Sequence, residues 1–376
     1  MNAVEEKMPQ KLAYDNFIDG RLTKEKLSAL KIQEPKQSIL TASKEHWDKI
    51  AKPLDGLGIL EDCITRIAAI QNNILPDLTQ RALVIFCADH GIVEEGVSQC
   101  GYEVTRQVAQ NMGRHASSVG RMAAVAGVDT YPVDIGMRGL EPVDGVRDCK
   151  VRQGSRNFAK EPALTAEECL QAIATGIQIA GEMKAKGYRL LATGEMGIGN
   201  TTASSAVAAA LLGCEAGEVT GKGAGLSEEG LKKKTAVIRK ALEQYDLRHR
   251  DTLTVLSCVG GLDIAGLCGL CIGGALYQMP VVLDGVITLA AALAAKRLCL
   301  GTERYLLASH KGREKACGLL AEEIGLSPVI DAGLKLGEGT GAVMLFPLLD
   351  MAFKVYEGGD SFDKMAIRPY ERYGKC

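Results

Sequence analysis

Residues 189–212 read RLLATGEMGIGNTTASSAVAAALL, and the way this stretch folds decides how the rest of the chain is read. Leu190, Leu191, Ala192 and Thr193 make a short apolar run with turn glycines after it, which suits a buried strand. Gly194, Gly197 and Gly199 follow, then Asn200, Thr201 and Thr202, then an alanine-rich run ending at Gly213. The order is strand, glycine loop, helix. Asn200 or Thr201 is placed to cap that helix and Gly213 to close it from the left-handed region. Glycines let the backbone approach a ligand, and the first amides of a helix point unpaired hydrogens outward with the positive end of the dipole behind them, so the loop suits a phosphate. A tight turn between two buried elements is the plain alternative. Glu195 weighs against it, because a carboxylate inside an anion-friendly loop needs a reason, such as a ribose hydroxyl or a cationic ring.

The surrounding composition narrows the classes. A chain of 376 residues buries a large core without staples and fits about two domains, or one large domain with an appendage. Net charge −2 and 5% aromatic residues give neither the basic footprint nor the stacking platforms of a nucleic-acid binder. The opening MNAVEEKMPQ lacks the basic-then-apolar order of a secretion signal, and apolar runs break before membrane-spanning length, so a cytoplasmic protein is expected. Twelve cysteines are scattered through apolar segments and read as reduced core. Cys268 and Cys271 have C-x-x-C spacing, but no second pair follows and their surroundings look helical and buried; no metal is expected.

Working outward, residues 1–52 are lysine-rich with amphipathic fragments such as NFIDGRLTKEKLSALKI (16–32), expected as surface helices. The run ALVIFC (82–87) reads as a strand that ends on Asp89-His90-Gly91, where open α/β sheets collect ligand residues; a satisfied turn pair is an equal reading for Asp89 and His90. Residues 128–135 are a strand candidate weakened by Pro132, and Thr165 with Glu168 announces a capped helix. Ser227 opens a helix with Lys232, Lys233 and Lys234, of which two are expected in solvent and one near the phosphate. The runs 253–259, 280–283 and 304–308 read as further strands, followed by Asp263, Asp284 and His310; the last unit sets Glu338 between Gly337 and Gly339 before an apolar helix. Strands alternating with helices predict a right-handed, mostly parallel α/β sheet with Asp89, Glu195, Asp263, Asp284, His310 and Glu338 converging on one cleft.

Seven segments carry a family resemblance: ADHGIVEEGVS, GSRNFAKEPALT, GEMGIGNTTA, GLSEEGLKKKTAVI, GGLDIAG, LDGVITLAAAL and GLKLGEGTGA, in order between Ile59 and Met351. The chain resembles the nicotinate-nucleotide:dimethylbenzimidazole phosphoribosyltransferase family, whose reaction builds the lower nucleotide of cobalamin. The resemblance implies a Rossmann-like, mostly parallel six-stranded sheet flanked by helices, with a small helical domain. It divides the chain into a helical region 1–58, a phosphoribosyltransferase domain 59–350 and a C-terminal segment 351–376 packing with the small domain. It further implies a homodimer without a cofactor that acts on nicotinate mononucleotide and an aromatic base.

On the same basis the nucleotide and its phosphate fall to Gly197, Gly199, Asn200, Thr201, Thr202, Lys234 and Gly339. Glu195 falls beside the leaving nicotinate and ribose, Glu338 at the general base, and Ser98, Gln107, Cys100 and Leu336 at the incoming base. Asp89, His90, Asp263, Asp284 and His310 support the site. Cys100 and Gly101 stand where the family commonly has Tyr-Pro, and Lys311-Gly312 follow His310 where it has Arg-Ser, which opens the rim to another acceptor such as a purine or a phenol. A nicotinamide-dinucleotide oxidoreductase is disfavoured because Gly194, Gly197 and Gly199 give G-x-x-G-x-G instead of G-x-G-x-x-G; a non-catalytic nucleotide sensor keeps every binding element and stays open.

Overall fold

The structure, a computed structural model, describes residues 21–223 and 225–372; the first five residues of the amphipathic stretch 16–32 lie outside them. Six strands form one sheet: β1 (Arg81–Ala88), β2 (Asp129–Gly136), β3 (Arg147–Asp148), β4 (Leu190–Met196), β5 (Val281–Leu283) and β6 (Leu306–Ala308). Their order is β3-β2-β1-β4-β5-β6, and every pairing is parallel. Helices cover both faces, so β1 is buried along its whole length and its alternate residues feed two cores. Val84 and Phe86 join one cluster, Leu83 and Ile85 the other. Pro132 pairs with Ile85 of β1, and β3 reaches only Val133 and Asp134, so the missing N–H costs the sheet no bond to β3.

The helices, in chain order, are α1 (Lys24–Ser28), α2 (Gln37–Lys49), α3 (Ile59–Gln71), α4 (Glu103–Gly113), α5 (Ser118–Ala126), α6 (Ala166–Ala185), α7 (Asn200–Leu212), α8 (Ala216–Val219), α9 (Glu228–Gln244), α10 (Thr252–Val259), α11 (Leu262–Leu276), α12 (Val286–Leu298), α13 (Ala316–Ile324) and α14 (Thr340–Gly358). Two local signals act as expected: Thr165 and Glu168 form a reciprocal capping box on α6, and Ser227 caps α9. Cys268 and Cys271 are buried within α11, where burial pushes the Cys271 thiol up to about 12.

Two expectations are corrected. The run 253–259 is the helix α10 and not a strand. A continuous apolar run does not distinguish the two, and the deciding residue is Asp251, whose carboxylate accepts the Thr254 N–H at 3.2 Å and starts a helix. Neither Asn200 nor Thr201 caps α7: Gly199 holds that position at φ +99°, with no side-chain cap, while Gly213 closes the helix from the left-handed region as expected.

Residues 46–55 meet the C-terminal part of the described chain. Ile50 pairs antiparallel with Ser361, Phe362 N donates to Lys49 O at 3.1 Å, and Trp47 stacks at a tilt on Tyr356. Arg372 then bridges Asp48 and Asp55. Among the described residues no helix is long and apolar enough to cross a membrane, and no His/Cys/Asp/Glu group could hold a metal ion.

Candidate active site

In an open parallel sheet the strand order reverses at one point, and loops leaving in opposite directions open a crevice there at the carboxyl ends of the strands. Here that point lies between β1 and β4. Beyond it is a cleft of about 260 Å³, lined by Glu195 at the end of β4, Asn200 and Thr201 after it, Asp284 after β5, His310 after β6, and Glu338 before α14. Gly197 and Leu336 also line it. Four of the six predicted acids and histidine thus meet in the cleft. The other two, Asp89 and Asp263, are buried with His90 outside its lining.

The glycine loop rests on that buried layer. A side chain at Gly197 would collide with Ala88 O and crowd Asp263. Asp263 lies 2.9 Å from His90 Nε2, an ion-pair distance without hydrogen-bond alignment, and accepts from Asn200 Nδ2 at 3.3 Å. Asn200 also donates to Glu195, so the residue expected to cap the helix is committed to two carboxylates instead. Burial, with Asp263 and Asp284 nearby, pushes Glu195 up to about 8.

Lys234 is the one lysine of its run that turns inward, 0% exposed while Lys232 and Lys233 are exposed. Its Nζ donates to Thr201 Oγ1 at 2.9 Å and to Gly221 O at 3.1 Å, directly behind the glycine loop. Burial pulls it down to about 8, opposed by the charge of Glu314. Glu314 lines the cleft and accepts the Gly223 N–H at 3.0 Å; no sequence signal pointed to it.

At the opposite end Glu338 adopts φ +62°, an unusual conformation for a residue with a side chain, between Gly337 at +82° and Gly339 at +94°. The joint is clamped by Asp284, whose carboxylate accepts from Gly339 N (3.2 Å), Gly341 N (2.8 Å) and Ala342 N (3.3 Å). A Cβ at Gly341 would run into the His310 ring, so that glycine lets the imidazole pack on the start of α14. His310 Nδ1 pairs with Ser309 Oγ at 2.9 Å. Burial raises the Glu338 carboxyl above the ordinary value, and the Val119 N–H, 3.3 Å from Oε2, opposes that rise.

The remaining predicted residues lie off the cleft wall. Ser98, Cys100 and Gln107 are not in its lining; Cys100 and Gln107 are exposed, and Val108 is the residue of α4 that faces the cleft. Gly199, Thr202 and Gly339 are buried outside the lining.

A parallel sheet with a glycine loop at its switch point, a buried lysine behind the loop and carboxylates across from it defines a nucleotide-handling α/β protein. Consistent with that class, a phosphoribosyltransferase family profile matches residues 32–367. The nicotinate-nucleotide–dimethylbenzimidazole phosphoribosyltransferase of Acetivibrio thermocellus is 40% identical over 324 residues, 86% of this chain and 92% of that one. The enzyme of the same name from Citrifermentans bemidjiense is 40% identical over 338 residues, 90% and 97% of the two chains. A crystal structure of CobT from Thermus thermophilus superposes with a TM-score of 0.83 at 38% identity, covering 88% of this chain and 99% of that one. The chain belongs to the nicotinate-nucleotide–dimethylbenzimidazole phosphoribosyltransferase family.

Proposed function

We propose that this protein transfers the 5-phosphoribosyl group of nicotinate mononucleotide to dimethylbenzimidazole, giving α-ribazole 5′-phosphate and nicotinate. The observation that carries the reading is Glu338, half-buried on a left-handed joint in the same cleft as Glu195 and the Asn200–Thr201 loop. Transfer breaks the bond between ribose C1′ and the pyridinium nitrogen, and the electron pair leaves with a now neutral ring. The unprotonated nitrogen of the acceptor attacks C1′ from the other face, and the N–H proton on its second nitrogen passes to Glu338. A carboxyl raised by desolvation is a stronger base for that proton. The oxocarbenium character of the transition state is stabilised by the nearby acids.

In this reading the phosphate takes the amides at the start of α7 and draws on the Lys234 ammonium, replacing Thr201 or Gly221 as its acceptor. Ser98, Cys100, Gln107 and Leu336 form the rim that the incoming base passes. Of the regions 1–58 and 351–376, the described residues form one small unit beside 59–350, a division supported by the pairing of Ile50 with Ser361. A cytoplasmic homodimer completes the proposal, and sedimentation velocity tests the dimer. The reaction itself is tested by incubating the protein with nicotinate mononucleotide and dimethylbenzimidazole and following the anomeric proton of the product; absence of the α-riboside removes the reading.

A further inference from the structure

We infer that the amino end of α5 is a positioning device for Glu338, with the Val119 N–H holding the carboxylate in its ionised, proton-accepting state. The inference rests on the general-base reading above. Ser117 caps α5, taking the Gly120 N–H on its hydroxyl at 3.2 Å. That leaves the Val119 amide among the first-turn donors without an acceptor inside the helix. Glu338 Oε2, 219 positions away in sequence, supplies the acceptor at 3.3 Å. The carboxylate therefore sits against a helix start, where partial positive charge favours the anion.

The two sides of this contact are anchored independently. α5 packs against α14 and β2, and Val119 itself is fully buried. Glu338 is fixed from behind by the clamp that Asp284 places on Gly339, Gly341 and Ala342. Its left-handed backbone gives the side chain a direction a regular turn would not. The titratable groups facing Glu338 are acids: Asp284 from the end of β5, whose charge acts on it, and Glu195 from the end of β4, whose Oε1 lies against Gly337. His310, after β6, faces Asp284 at 3.9 Å. Against partial burial and the neighbouring Asp284, the Val119 amide donor is what favours the ionised base. Val119 does not touch the reacting atoms in this scheme; it acts through Glu338.

The test reads the contact and its consequence separately. In a ¹⁵N-labelled protein, the Val119 amide proton should move downfield as pH rises through the Glu338 titration, and that movement should vanish in Glu338→Gln. A Val119 shift that is flat, or that titrates equally in Glu338→Gln, overturns the inference. In Val119→Pro, which removes the N–H, the acid limb of kcat should move up by about one pH unit, the scale of one hydrogen bond to a charged acceptor. Val119→Ala, which keeps the N–H, should leave the limb in place; an upward move in both variants assigns the effect to packing and overturns the proposal. Should Val119→Pro fail to fold, the amide titration of the parent protein still decides the contact. Absence of turnover in the parent removes the general-base reading without touching that titration, so the two failures are distinct.

Discussion

At the glycine-loop end of the cleft the polar groups are buried and bonded within the chain: Lys234 to Thr201 and Gly221, Asn200 to Glu195 and Asp263. At the Glu338 end one half-buried carboxylate holds a single amide on a backbone joint of three left-handed residues, with exposed Leu336 two positions before it. The first end is built before the nucleotide arrives, and its charges have few alternatives. In the proposed reaction the second offers a base free to exchange its amide for a proton. In the proposed reaction preorganisation is thus concentrated on the phosphate side of the nucleotide, while the side that receives the proton keeps one adjustable group.

The largest break in this contrast is Glu338→Gln, which keeps size and hydrogen bonding but cannot take the proton. We expect kcat to fall by about 10²-fold or more with nucleotide binding retained, and the acid limb of the kcat profile to disappear. A nearly active variant whose main defect is thermal stability would show that Glu338 only supports the start of α14. Next is Lys234→Ala, for which KM for the nucleotide should rise by at least about tenfold, the scale of one charge-assisted bond. Nicotinate riboside, lacking the phosphate, should be indifferent to the change. Because Lys234 titrates near 8, below its ordinary 10.5, the parent KM should also climb above that pH, and the alanine variant should not follow. The same depression means that the unfolded chain holds more protons between those values, so this group's contribution to stability rises with pH across that window.

Glu195→Gln sharpens the comparison through stability. Its carboxyl is raised from 4.5 to about 8, so the stability it contributes is fully present below the lower value and is lost as pH rises through the upper one. The difference in Tm between Glu195→Gln and the parent should therefore grow in the variant's favour from pH 5 to pH 8.5; parallel curves would place an ionised Glu195 in the native cleft. The smallest effect belongs to the rim. Cys100→Tyr with Gly101→Pro changes residues outside the cleft lining, one of them exposed, so competition among dimethylbenzimidazole, adenine and p-cresol should shift by less than about threefold, as rim contacts usually do. A reversed order of preference would bring those two residues into the base pocket.

The same contrast explains what was legible in the sequence. β4, its glycine loop and α7 announce themselves because each signal is local: an apolar run, turn glycines, a closing Gly213. Glu338 is visible for the same reason, being framed by glycines. β3 is not visible, since two exposed residues make a strand only by pairing with Val133 and Asp134. The run 253–259 deceives because its one partly exposed face is only Thr254 and Cys258, too faint a polar stripe to mark a helical period within an apolar run. Glu314 lines the cleft and bonds Gly223, and Val119 bonds Glu338, contacts that span 91 and 219 positions, and no spacing rule reaches so far. Asn200 is legible in place but not in role, because its amide serves two buried carboxylates whose positions only the sheet determines.

The contact between α2 and residues 356–362 sets the timetable of the chain's biogenesis. His46 on α2 bonds to Tyr356 O, 310 positions later, and the strand-like pairing of Ile50 waits for Ser361. At ribosomal rates of about 5–20 residues per second, α2 emerges roughly 15–60 s before the segment that covers Trp47 exists. For that interval α2, an otherwise polar helix, carries the Trp47 indole without the Tyr356 ring that later packs on it. A premature stop ahead of residue 356 would remove that ring, and one ahead of residue 361 the pairing of Ile50.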